Sequence, residues 1–166
     1  NTFEIGRITI AVFIPPQNVM GGSNSRSIKQ ANDKWHIVNP KSRFNCVFQS
    51  VACCRNFLNN KELILDTEEA SKKRIRAGKN IKGKIKPSND NYVDNMTLQE
   101  IADWTRYPIN LYDNIFKLIK TFNPKNPLPR YRTPIRHYDL QKVGDHCLAL
   151  IDKKLIKAKY PDFNFN

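Results

Sequence analysis

The sequence predicts an α+β fold in which a cysteine-bearing helix packs on a mostly antiparallel sheet. Three observations lead there. After Cys46, apolar residues return at helical spacing, so that Val47, Val51, Cys54 and Leu58 share a face. Short apolar runs bounded by breakers, Trp35–Val38 ahead of Asn39-Pro40, Ile109–Tyr112 after Pro108 and Cys147–Ile151 after Gly144-Asp145, have the length and composition of strands. The turn dipeptide Gly144-Asp145 makes a hairpin of the last two strands, so the sheet is mostly antiparallel.

Taken in order, Phe3 to Ile14 alternates Ile8, Ile10, Val12 and Ile14 with Arg7, Thr9, Ala11 and Phe13 and reads as a strand ended by Pro15-Pro16. Gln17 to Asp33, with Gly21-Gly22, reads as a loop. The Cys46 helix is expected to run to about Asn59. Asp66-Thr67-Glu68-Glu69 places an N-cap and first-turn acids ahead of a polar helix. Lys79 to Asn91, interrupted by Gly83 and Pro87, reads as a linker or extended arm. Thr97 with Glu100 forms a capping box for a helix carrying Leu98, Ile101, Ala102 and Trp104. Ile115 to Phe122 fits either a strand or a short helix. Pro134–Leu140 and Cys147–Ile151 form a hairpin about Gly144-Asp145, and Leu155-Ile156 is expected to pair once more.

A chain of 166 residues suits one domain, 1–166, with a basic insertion or arm at about 71–91. No apolar run approaches the roughly 20 residues of a membrane span, and the first residues lack the pattern of a secretion signal. Four unevenly placed cysteines do not make a disulfide scaffold, which points to a reducing, intracellular compartment. The adjacent pair Cys53-Cys54 lacks the spacing of a metal hook, so neither a metal nor a cofactor is expected. Of the thirteen excess positive charges, eight lie in one run without an acid: Lys72, Lys73, Arg74, Arg76, Lys79, Lys82, Lys84 and Lys86. Such a cluster attracts phosphates, so RNA or DNA is one expected partner; a solvated insertion is the other reading.

Cys46 stands where a nucleophile could be built, because a thiol at a helix N-terminus meets unpaired backbone N–H groups that favour the thiolate. His146, at the start of an apolar strand a hundred residues downstream, could supply the base. Asn45-Cys46-Val47-Phe48 and the helix after it resemble the nucleophile motif of ovarian-tumour-type (OTU) cysteine proteases, a papain-related family. Leu98 to Asp113 resembles that family's helix leading into a central strand, and His146-Cys147-Leu148-Ala149-Leu150 its histidine-bearing strand. A narrower likeness is to the OTU-like region ahead of the polymerase domain in protein-primed DNA polymerases of viruses and mobile elements.

The resemblance implies an OTU-like fold and a cysteine peptidase acting on polypeptides or ubiquitin-like tails, with Cys46 as nucleophile and His146 as base. The alternative reading is a catalytically silent OTU-like module that binds nucleic acid through a basic face. Arg43 stands where the family often has Asp, and Leu148 where it often has an orienting residue. Asn39 and Asp152 are the candidates for the third member, with Asn39 preferred at the end of its strand. His137, in Arg136-His137-Tyr138-Asp139, competes with His146 as base, whereas His36 reads as structural.

Overall fold

Five strands and four helices account for the computed structural model, which describes residues 33–42, 45–59, 62–87, 95–129 and 136–165. In chain order these are β1 (Trp35–Val38), α1 (Cys46–Leu58), α2 (Glu68–Ile85), α3 (Asn95–Thr105), β2 (Ile109–Tyr112), β3 (Leu118–Phe122), β4 (Tyr138–Val143), β5 (His146–Asp152) and α4 (Lys153–Lys159). The strands form one mixed sheet in the order β1-β5-β4-β2-β3. β5 pairs antiparallel with β1 and β4, β2 pairs antiparallel with β3, and β2 and β4 run parallel. The architecture is therefore α+β. The expected strand at Phe3–Ile14 and the loop with Gly21-Gly22 lie outside the described residues.

The helix α1 is buried on nearly every side, because it sits between the sheet and α2. Cys54, Val51 and Phe57 join strand residues such as Leu140, Cys147 and Ala149 in one hydrophobic cluster that draws on every described element. Burial all round explains why α1 lacks the polar face of a surface helix. Its expected single apolar face was too narrow: Cys46, Phe48 and Cys53 are buried as well.

The helix α2 corrects the arm reading over residues 79–85, for it continues to Ile85; residues 88–91 lie outside the described residues. Thr67 caps it by accepting the Ala70 N–H at 3.1 Å, and Glu68 and Glu69 follow in its first turn. Acids at the start and Lys82 and Lys84 at the end both complement the helix dipole. Ala70, Arg74, Gly78 and Ile81 turn inward towards α1. Gly78 is required there, since a Cβ would stand 2.9 Å from Gln49 Cγ and 3.1 Å from the Gln49 backbone nitrogen. Gly83 faces open space and does not break the helix; packing on α1 outweighs its modest propensity cost. The stop comes at Lys86, which takes a left-handed φ of 52° and returns its N–H to Lys82 O.

Two further boundaries differ from the sequence reading. α3 begins at Asn95, so Thr97 is a buried helical residue rather than the cap. After β5 the chain does not pair again: Asp152 Oδ1 accepts the Lys154 N–H at 2.8 Å and starts α4. Ile115–Phe122 resolves into a turn and β3, with Asp113 Oδ1 accepting the N–H groups of Ile115 and Lys117. The β4–β5 turn falls at Gly144-Asp145, where Gly144 supplies a φ of 58°.

Candidate active site

Pairing of β1 with β5 is what brings Asn39 to His146. Val38 sits opposite Ala149, so the residue after β1 runs towards the first residues of β5. There His146 Nε2 lies 2.6 Å from Asn39 Oδ1, across 107 positions of sequence. An amide oxygen only accepts, so Nε2 carries the proton and Nδ1 presents a lone pair. That Nδ1 is buried and has no hydrogen-bond partner among the described residues. The ring is 3% exposed, and burial lowers its pKa to about 4. His146 is a neutral imidazole at physiological pH.

Cys46 is the first residue of α1, and α1 is seated on the same end of β5. Ser50, one turn further on, donates its hydroxyl to Cys147 O at 3.2 Å. The Cys46 thiol is 4% exposed. Burial pushes its pKa up, over the opposing pull of the Cys147, Val47 and Cys46 N–H groups on the sulfur. The helix N-terminus thus acts as the sequence suggests, but desolvation wins. The expected thiolate is corrected to a thiol. Asn45, the N-cap, makes no side-chain cap bond; its Oδ1 accepts from Lys82 Nζ at 3.0 Å, and its own N–H goes to Ser42 Oγ. Arg43 and Phe44, in the loop ahead of Cys46, lie outside the described residues.

The rival candidates are held elsewhere. Asp152 is at the opposite end of β5 from His146, about 20 Å away at 3.4 Å per residue, and is occupied as the α4 cap. His137 precedes β4, whose Asp139 pairs with Leu150 near that same far end. Its Nδ1 lies 3.1 Å from Asp139 Oδ2 and 3.3 Å from Asn110 Nδ2. The hydrogen bond to Asp139 raises the His137 pKa, against the effect of partial burial. Asn110 in turn bonds Asp139 Oδ1 and accepts from Thr121. This polar network was not foreseen, although the His137-x-Asp139 spacing was visible. His36 bonds Ile64 O at 3.2 Å and meets Phe163 edge-on, a packing role.

The basic run does not form one uniform phosphate-facing surface. Arg74 is buried at 3% exposure, where Nη1 donates to Leu63 O at 2.6 Å and Leu65 O at 2.8 Å. It is a strap for the α1–α2 connection, and its assignment to a nucleic-acid surface is corrected. Lys72 and Lys73 pair with Glu68 and Glu69 at 2.7 and 2.8 Å.

All four cysteines are free and buried. Among the described residues no group of three or more His, Cys, Asp or Glu could hold a metal ion, and no helix is long and apolar enough to cross a membrane. No family model matches the chain, and no curated protein matches it. Among solved structures, the crystal structure of the viral OTU domain protease from Farallon virus is similar over 75% of this chain and 88% of that one, with a TM-score of 0.41 and 13% identity.

Proposed function

We propose that the chain is a cysteine hydrolase in which Cys46 is the nucleophile, His146 the base and Asn39 the residue that orients the base. The observation that carries this reading is the 2.6 Å contact between His146 Nε2 and Asn39 Oδ1, which leaves Nδ1 as a buried, unpartnered base. Nδ1 would take the Cys46 proton as sulfur attacks a carbonyl, then return it to the leaving amine, and water would release the acyl group from the thioester. The Cys46 N–H at the start of α1 is the first donor available to the oxyanion. The motifs around Cys46 and His146 make a peptide or isopeptide carbonyl the expected substrate, with the tail of a ubiquitin-like protein as its source.

The resting site is not a preformed ion pair. With burial holding the thiol protonated and the imidazole neutral at a pKa of about 4, moving the proton from sulfur to nitrogen is uphill in this conformation. Attack therefore requires substrate to open the thiol to solvent or to new donors. The same neutrality favours a second reading, an OTU-like module without catalysis. A ubiquitin-derived electrophilic probe separates them. Adduct formation lost in Cys46→Ala and slowed in Asn39→Ala supports the hydrolase. Absence of any adduct, from a chain with intact folding, supports the silent module.

A further inference from the structure

We infer that the groove between α2, the C-terminal end of α1 and α3 binds single-stranded nucleic acid through residues other than Cys46 and His146. The groove is open, of about 970 Å³, and its floor includes Leu63, Ala77 and Ile81. Its walls carry Lys73, Arg76, Asn80 and Lys84 from α2, Arg55 from α1 and Trp104 from α3. These α2 residues recur every three or four positions, so the helix presents them along one side for about 16 Å at 1.5 Å per residue. Lys73, Arg76, Asn80 and Lys84 are exposed.

Cation and aromatic meet at one wall, where the Arg55 guanidinium lies 4.9 Å from the Trp104 ring centroid and Trp104 remains 38% exposed. Two carboxylates, Glu62 and Glu69, also line the groove, and Glu69 is engaged by Lys73. Cations are in excess. A positively charged channel with an aromatic side chain on which a base can stack suits a single strand; a duplex would offer no free base face. An acidic polypeptide would satisfy the cations but leave the indole without its counterpart. The stacking residue lies outside the basic run, so charge alone in the sequence did not reveal it.

The test is fluorescence anisotropy of labelled oligo-dT and oligo-rU with the full chain, with duplex DNA and poly-glutamate as competitors. With Arg55, Arg76 and Lys84 on phosphates, log affinity should fall against log salt with a slope of about −2 for single strands. The double variant Arg76→Gln/Lys84→Gln should lower the slope to about −0.7 and weaken binding at least about tenfold. Lys117→Gln/Lys120→Gln, which removes the same charge from the β2–β3 hairpin, should stay within about twofold. Trp104→Ala should cost about tenfold and abolish the fluorescence quench on binding, since the other tryptophan, Trp35, is buried. Equal losses in the two charge variants, no effect at Trp104, or equally tight binding of poly-glutamate would overturn the assignment. Comparing the dT and rU arms identifies the sugar. Cys46→Ala should bind normally, so this outcome does not depend on the hydrolase proposal.

Discussion

His146 should make folding acid-sensitive in a window of its own. The ring is buried, Nε2 is tied to Asn39, and burial lowers its pKa from 6.5 to about 4. Between those values the unfolded chain binds a proton that the folded chain refuses, so stability rises with pH across the window. The contribution is fully present above pH 6.5 and is lost as pH falls to about 4. At about 1.36 kcal/mol for each tenfold change in proton affinity, it amounts to roughly 3 kcal/mol. That is a large part of the 5–15 kcal/mol typical of a domain. Urea unfolding of wild type and His146→Gln from about pH 7 to about pH 4 measures it as the change in their difference. His36 and His137 titrate in both proteins and cancel. Stability curves that run parallel through the window would refute the buried, neutral imidazole.

Four other perturbations test the packing and the site. Asn39→Asp should raise the His146 pKa by placing a carboxylate on Nε2, followed by NMR titration of the ring, and an unchanged pKa would contradict the contact. Gly78→Ala should destabilise the fold by about 1–3 kcal/mol in chemical denaturation, because the α1 backbone beside Gln49 must move. Arg74→Met should cost about 2–4 kcal/mol by removing the guanidinium donor from the Leu63 and Leu65 carbonyls, leaving Leu63 O only the weak Cys53 thiol. The exposed Lys72→Gln should change stability by no more than about 0.5 kcal/mol in the same assay.

Local chemistry was the legible part of this chain. Thr67 with Glu68 and Glu69 announces α2, Pro108 frees β2, and Gly144-Asp145 sets the β4–β5 turn, because each acts through its own backbone. Tertiary burial was not legible. Gly83 suggests a break only until α2 is seen packed on α1, and Arg74 looks solvated until its two carbonyl partners are placed. Asp152-Lys153 reads as a turn into another strand, and only the Lys154 N–H on Asp152 Oδ1 shows it to be a helix cap. At the site, residue types and order suggested Cys46, His146 and Asn39, but the protonation states did not follow from them. Helix-end N–H groups can be inferred at Cys46 from position alone. The desolvation that overrides them depends on α2 and β5 closing over α1.

The bond between Asn39 and His146 has a consequence for how the protein comes to exist. Synthesis delivers β1 and α1 early, but their partner strand β5 emerges only after most of the described chain has been made. A nascent chain still lacking the β4–β5 hairpin therefore has the Asn39 amide but no His146 ring for it to hold. That contact forms late, when β5 slots between β1 and β4, and fragments released before that point carry Cys46 and Asn39 without the ring that Asn39 holds.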